Sequence, residues 1–161
     1  MKILDNFLTE LEYYEVDKIR FEPRYNYGEN DLYPLDNPIP NGMSLTINPD
    51  ENIFKIFSQK TKETFSEVKD LYLQRIYVNC FAPLEWSYYH TDNDNFGFTC
   101  LYYLNDTWDI NDGGETHFYD NAEIIAIPPI PNRIVCFDST VLHKATPFKS
   151  KHRFTIAMKY T

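Results

Sequence analysis

From Leu73 onward, the sequence consists of short runs of β-branched and aromatic residues separated by clusters of turn-forming residues. Such runs are typical of β-strands, and Asn111-Asp112-Gly113-Gly114 is the clearest turn between two of them. Many short strands joined by turns predict a β-sandwich, a jelly roll or a barrel. The predicted strands are 73–81, 99–104, 116–119, 123–127, 133–137 and 154–160.

The first 72 residues have a different pattern. Apolar residues recur at helical spacing near the start, which predicts an amphipathic helix over 8–19. Asn48-Pro49-Asp50-Glu51 has the residue types of a helix start, and the spacing after it predicts a second helix of about five turns. Glycines and prolines in 28–49 predict a long loop, which is a candidate lid. We therefore expect one domain over 1–161, with helical support and the lid loop in 1–72 and a β core in 73–161.

Composition excludes several classes of function. None of the glycines belongs to a GxGxxG or GxxxxGK[ST] motif, which excludes the common nucleotide-binding loops. A net charge of −9 disfavours binding to a phosphate backbone, so no nucleic-acid partner is expected. The longest apolar run, 124–127, is too short for a membrane span, and no signal-peptide pattern is present, so we predict a cytoplasmic protein without a membrane partner. Cys80, Cys100 and Cys136 show no CxxC spacing and are predicted to be buried thiols.

Two histidines and an aspartate are candidate metal ligands. In His90-Thr91-Asp92, alternate residues of an extended segment project to the same side, so one imidazole and one carboxylate can converge on a cation. A lone His-x-Asp is more often an ordinary polar strand end. His143 follows a predicted strand about fifty residues later and can supply a second imidazole. Two histidines and one carboxylate form the facial triad of non-haem Fe(II) sites, which leaves coordination positions open.

Charge is unevenly distributed along the chain. Between Arg75 and Arg133 there are nine acidic residues and no lysine or arginine, whereas from His143 to Lys159 there are five basic residues and no acid. Most of these charges are expected to be solvated; the alternative is a metal-attracting acidic segment beside a basic segment suited to an anionic small molecule. Within the basic segment, the guanidinium of Arg153 can hold a carboxylate by two parallel hydrogen bonds.

Taken in order, these residues resemble the catalytic core of the 2-oxoglutarate- and Fe(II)-dependent dioxygenases, specifically the prolyl 4-hydroxylase-like branch with small bacterial and phage members. The resemblance covers about half of the chain, from residue 77 to the end. Its matching blocks are His90-x-Asp92, Thr99 to Asn105 followed by Trp108, Gly113-Gly114-Glu115-Thr116-x-Phe118, Phe137-Asp138-Ser139 before His143, and Arg153.

The resemblance implies a mainly β double-stranded β-helix, or jelly roll, with the N-terminal helices packed on one sheet. It also implies that His90, Asp92 and His143 bind iron and act in catalysis. Arg153 would pair with the distal carboxylate of 2-oxoglutarate, and Tyr103 would add a hydrogen bond to it. The remaining co-substrate contacts would come from Leu101, which shares a strand face with Thr99 and Tyr103, and from Asn79.

The implied activity is hydroxylation of an unactivated C–H bond, coupled to decarboxylation of 2-oxoglutarate to succinate. The implied cofactors are Fe(II), 2-oxoglutarate and O2, with ascorbate as a further candidate. The best guess for the substrate is a prolyl residue in a peptide or protein, a small molecule being the alternative, and we expect a monomer or weak homo-oligomer. The competing hypothesis is a non-catalytic cupin-like jelly roll that binds a metal or ligand and uses Arg153 in a structural ion pair.

The segment before His90 departs from the family pattern, because 80–89 contains no glycine. Substrate contacts therefore need other candidates, and Trp86, Tyr88, Tyr89 and Trp108 could form an aromatic wall. His117 and His152 are expected to be structural or solvated.

Overall fold

Two antiparallel sheets form the framework of the protein in the computed structural model, which describes residues 1–28 and 42–161. The strands in this part of the chain are Lys2–Leu4 (β1), Asn26–Tyr27 (β2), Met43–Ile47 (β3), Leu73–Phe81 (β4), Phe98–Tyr103 (β5), Thr116–Asp120 (β6), Glu123–Ile127 (β7), Ile134–Asp138 (β8), Leu142–Ala145 (β9) and Arg153–Tyr160 (β10). The larger sheet has the order β1-β8-β5-β10-β4-β3-β2, and the smaller one has the order β7-β6-β9. This mainly β, two-sheet architecture confirms the predicted fold class.

Alternation along the central strands gives the larger sheet two buried faces. In β5, Leu101 and Tyr103 face the smaller sheet and pack with Phe118 of β6, whereas Cys100 and Tyr102 face the opposite side. Both faces are buried because the smaller sheet covers one and the N-terminal helices cover the other. The predicted sharing of one face by Leu101 and Tyr103 is therefore confirmed.

The described residues form two α-helices, Glu10–Asp17 (α1), which a 3-10 turn extends to Phe21, and Asn52–Thr64 (α2). A capping box starts α1, in which Thr9 accepts a hydrogen bond from the backbone of Glu12 while the Glu12 carboxylate accepts one from the backbone of Thr9. This α1 lies within the predicted 8–19. None of the helices in the described ranges is long and apolar enough to cross a membrane.

Helix α2 is shorter than the predicted five turns. Asn48 closes a turn onto Glu51 instead of capping the helix, so α2 begins only at Asn52. It ends at Thr64 because Phe65 adopts an extended conformation. Phe65 and Val68 are still buried, so their apolar spacing reflects the core and not a continued helix.

Aromatic packing fixes α2 to the outer face of the larger sheet. Phe57 of α2 lies with its ring centroid 5.2 Å from that of Tyr102 and 6.2 Å from that of Phe7. Burying a side chain such as Phe57 contributes roughly 2–3 kcal/mol. Cys80, Cys100 and Cys136 are buried free thiols, as predicted.

The prediction that 28–49 is one continuous loop is wrong at its end. Residues 29–41, where the candidate lid lies, are outside the described residues, but Met43–Ile47 is a strand that pairs with β4. Leu45 and Ile47 lie two positions apart and are both buried in the core, as expected for a strand. Gly42 and Pro49 on either side made this short segment resemble a loop in the sequence. With β1 and β2, three strands of the larger sheet come from 1–72, so this part is more than helical support.

Candidate active site

Two histidines 53 positions apart lie side by side at one end of the smaller sheet. The backbone N–H of His90 donates to the carbonyl of His143 over 3.1 Å, and the N–H of His143 donates back over 2.9 Å. His143 belongs to β9, whose other edge pairs with β6. This bridge holds the two imidazole centroids 4.4 Å apart.

The hydrogen bonds of the two rings define which nitrogen is available for a ligand. Nδ1 of His90 contacts the carbonyl oxygen of Tyr88 at 2.9 Å, and Nδ1 of His143 contacts that of Val141 at 3.0 Å. A carbonyl oxygen can only accept, so each Nδ1 carries a proton, and the neutral form of each ring has its lone pair on Nε2. This is the tautomer that a metal-binding histidine needs.

Asp92 completes the group. Its carboxylate oxygens lie 3.7 Å from Nε2 of His90 and 3.6 Å from Nε2 of His143. Within the described parts of the chain, this is the one set of three histidine, cysteine or acidic side chains that could hold a metal ion, with all candidate ligand atoms within 4.8 Å of one another. Two imidazoles and one carboxylate fit the donor set of a ferrous facial triad.

Several groups hold Asp92 in place. Its backbone N–H donates to the carbonyl of Ser139 over 2.8 Å, and its carboxylate accepts from the hydroxyl of Thr99 over 2.5 Å and from the ammonium of Lys159. Burial by itself raises the pKa of Asp92, but the charge of Lys159, the neighbouring His143, which is protonated only at acidic pH, and these hydrogen bonds bring the pKa well below its ordinary value. The carboxylate is therefore ionised at neutral pH.

His143 is neutral in the same surroundings. Burial lowers its pKa to about 4, although the nearby charge of Asp92 acts in the opposite direction. A neutral imidazole binds a metal without first losing a proton, so the site is ready for a cation at neutral pH.

A narrow cavity between the sheets begins at these histidines. Its wall on the larger sheet comes from the inward-facing residues of β4, β5 and β10, which include Asn79, Leu101 and Arg153. The smaller sheet contributes Thr116 and Ala145. The amide oxygen of Asn79 is buried and has no hydrogen-bond partner among residues 1–28 and 42–161, so it could accept a hydrogen bond from a donor group in the cavity.

Arg153 is buried in this cavity wall and points toward the smaller sheet. Its Nε donates to the carbonyl of Gly114 and its Nη2 to the hydroxyl of Thr116, each over 2.8 Å. The side chain is 2% exposed, so these bonds hold a cation with little access to bulk water. A buried, oriented guanidinium is suited to binding the carboxylate of a small molecule.

Tyr103, the other residue expected to contact the distal carboxylate of the co-substrate, lies beside Arg153 and Thr116. Its hydroxyl donates to Thr116 over 2.8 Å, and Arg153 lies over its ring with 5.5 Å between Cζ and the centroid. Thr116 thus accepts from both Tyr103 and Arg153, which leaves its own proton for a further acceptor. Tyr103 is therefore placed to orient Thr116 and Arg153.

The sequence analysis assigned no role to three residues that bond to the predicted site side chains: Thr99, Thr116 and Lys159. Each lies inward on a strand whose alternation is visible in the sequence. The sequence places Thr116 only in a family block, and Lys159 only in a basic segment. Strand parity from Arg153 predicts that 155, 157 and 159 point the same way, so parity could have identified Lys159.

The proposed aromatic wall does not line this cavity. Trp108 donates from its indole N–H to the carbonyl of Gly113 and packs against Phe148. Tyr89 packs against Tyr119 on the smaller sheet. The aromatic side chains in the described cavity wall are instead Tyr77 and Phe81. His117 lies half-buried on β6, and His152 is exposed.

Comparison with known proteins identifies a family for this chain. The family model described as the 2OG-Fe(II) oxygenase superfamily matches residues 78–160. A search among curated proteins found no relative.

Solved structures show the same fold at low sequence identity. A Trichoplax adhaerens prolyl hydroxylase, solved with a hypoxia inducible factor oxygen degradation domain peptide, is 23% identical with a TM-score of 0.78, covering 99% of this chain and 82% of that one. A Pseudomonas putida prolyl-4-hydroxylase is 17% identical with a TM-score of 0.76, covering 99% and 90%. A viral collagen prolyl hydroxylase from Paramecium Bursaria Chlorella virus-1, in complex with 2OG, is 16% identical with a TM-score of 0.73, covering 99% and 94%.

Proposed function

Because the chain belongs to the 2OG-Fe(II) oxygenase superfamily, we propose that it hydroxylates an unactivated C–H bond, with a prolyl residue of a peptide or protein as substrate. One observation carries this proposal: two imidazole Nε2 atoms and the Asp92 carboxylate converge at one end of a cavity that also contains the buried Arg153.

In the proposed mechanism, His90, Asp92 and His143 hold Fe(II). The metal, with 2-oxoglutarate and O2, supplies the oxidising chemistry, in which 2-oxoglutarate is decarboxylated to succinate. The protein presents the two Nε2 atoms and one carboxylate in a fixed arrangement, because backbone bonds lock His90, His143 and Asp92 in place. Ascorbate, the further candidate, would act only as an added reductant.

The cavity wall then determines how the co-substrate is oriented. Arg153 pairs with the distal carboxylate of the co-substrate. The Thr116 hydroxyl accepts from Tyr103 and Arg153 and donates its own proton to the same carboxylate. Leu101 excludes water from the apolar part of the co-substrate, and Asn79 lines the same wall beside it. A dry, prearranged wall of this kind strengthens each charged contact.

The proposal for the substrate rests on the similar structures. The Trichoplax prolyl hydroxylase was solved in complex with a peptide fragment, and the Pseudomonas and viral proteins are also prolyl hydroxylases. We therefore propose peptidyl proline ahead of free amino acids.

Two measurements test the proposal. Adding 2-oxoglutarate anaerobically to the Fe(II)-loaded protein is expected to produce a weak visible charge-transfer band. Proline-containing peptides should stimulate succinate release and gain one oxygen atom by mass spectrometry, whereas the same peptides with alanine for proline should not. A folded protein without the band would favour the non-catalytic jelly roll, and a band with turnover of free amino acids only would contradict the peptide substrate.

Substituting Gly114 by alanine is expected to weaken 2-oxoglutarate binding. Gly114 has φ of +80°, and an added Cβ would lie 2.8 Å from Trp108 and 3.5 Å from Cδ of Arg153. The strained backbone would displace the carbonyl that accepts from Arg153, so we expect the KM for 2-oxoglutarate to rise about tenfold.

Gly113→Ala is the matched control for Gly114→Ala. Gly113 also has a positive φ, +85°, and its added Cβ would lie 2.7 Å from the carbonyl oxygen of Pro147. Its own carbonyl accepts from Trp108 and not from Arg153. Both variants should lose stability, but only Gly114→Ala should raise the KM; equal KM values in the two variants would refute this coupling.

A further inference from the structure

A buried lysine lies against the carboxylate of the candidate metal site. Lys159, near the end of β10, is 6% exposed, and its ammonium donates to Asp92. The ammonium also lies 5.5 Å from the ring centroid of Tyr77. Lys159 is therefore part of the cavity wall and not of the solvated surface.

The fold places this lysine opposite a second partner of Asp92. Lys159 pairs in register with Thr99 of β5, and both side chains bond to the same carboxylate. Lys159 and Thr99 line the cavity, and both contact the Asp92 carboxylate. A cation that binds Asp92 from the cavity must therefore share this carboxylate with an ammonium group.

We propose that Lys159 tunes the metal centre: its positive charge, held against Asp92, lowers the affinity of the site for divalent cations. This inference rests on the proposed function, since it takes Asp92 as a ligand. Two positive charges that share one carboxylate repel each other strongly in a buried site, where water screens them poorly. The repulsion is larger for Fe(III) than for Fe(II), so Lys159 also favours the ferrous state.

Removal of the ammonium should leave the carboxylate in place. The hydroxyl of Thr99 and the backbone bond from Asp92 to Ser139 still orient it. Within the described residues, Lys159 is the one lysine or arginine that contacts the Asp92 carboxylate. Its removal leaves a bound metal as the remaining cation for this buried carboxylate. A carboxylate that stays in place and no longer pairs with an ammonium binds a metal ion more tightly. Loss of a merely structural lysine would have the opposite effect.

The test is calorimetric titration of Mn²⁺ into the apoprotein. Lys159→Met removes the charge and the hydrogen bond, and Lys159→Gln removes the charge but keeps a donor, so the second variant remains informative if the first does not fold. Both are expected to bind Mn²⁺ at least tenfold more tightly than the wild type. Lys149→Met, which removes the charge of an exposed lysine bonded to the carbonyl of Asn111, is the matched control and should bind like the wild type.

The outcomes separate this inference from the proposed function. If the wild type binds one Mn²⁺ and both Lys159 variants bind it equally or more weakly, the role of Lys159 is refuted while the metal site stands. If the wild type and the folded variants bind no Mn²⁺, the metal site itself is refuted and this inference with it.

Discussion

Replacement of Asp92 by asparagine is expected to weaken Mn²⁺ binding more than hundredfold and to destabilise the metal-free protein by about 3 kcal/mol. The first effect follows from loss of the carboxylate between Nε2 of His90 and Nε2 of His143. The second arises because the ammonium of Lys159 remains buried without its carboxylate. Calorimetric titration measures the first effect, and urea unfolding followed by circular dichroism measures the second.

The double variant Asp92→Asn/Lys159→Met separates the two effects. Because it removes both charges together, most of the lost stability should return, while Mn²⁺ binding should remain weak. A double-mutant cycle with Lys159→Met should then give a coupling free energy of about 2 kcal/mol or more. Additive losses of stability would show that Asp92 and Lys159 do not stabilise each other, and full metal affinity in Asp92→Asn would remove this residue from the ligand set.

The strand pattern was predictable wherever local sequence determines it. The predicted strands 73–81 and 123–127 coincide with β4 and β7, because both are runs of β-branched and apolar residues bounded by turns. The placement of Leu101 and Tyr103 on one face also followed from the period-2 alternation of β5. Likewise, the spacing of His90 and Asp92 predicted two side chains on one side of an extended segment, although only His143 made them candidate metal ligands.

What escaped prediction depends on pairing between distant segments. Strand β9 has four residues and forms only by pairing with β6 and bridging to His90, so no local signal marks it. Likewise, Thr116 becomes important only because the fold brings Arg153 and Tyr103 to its hydroxyl. Local propensity contains no information about such contacts, which tertiary structure alone supplies.

The charge of Lys159 misled the sequence analysis for a related reason. Lysine is rarely buried without a partner, so a basic segment is ordinarily solvated. Here the partner is Asp92, which lies 67 positions earlier in the chain. The proximity of Asp92 to Lys159 could not be derived from the sequence before the pairing of β5 with β10 was known.

Replacement of Arg153 by methionine is expected to raise the KM for 2-oxoglutarate about hundredfold or more, with a smaller effect on kcat. The guanidinium is the proposed anchor for a carboxylate remote from the reacting atoms, so its loss removes binding that is similar in the ground and transition states. A hydrogen-bonded charge pair in a buried site contributes about 3 kcal/mol, which corresponds to this change. Steady-state succinate formation at varied 2-oxoglutarate measures both constants.

Arg153→Lys distinguishes charge from geometry at the same position. Lysine keeps the positive charge but cannot reproduce the fork that bonds Gly114 and Thr116 while presenting donors to a carboxylate, so the KM should still rise about tenfold. Arg133→Lys is the matched control, because Arg133 makes a two-pronged bond to Asp5 away from the cavity, and its KM should match that of the wild type. A wild-type KM in Arg153→Met would show that the cavity binds 2-oxoglutarate through other groups, and Arg153 would then serve only to tie β10 to the turn at Gly114 and to Thr116.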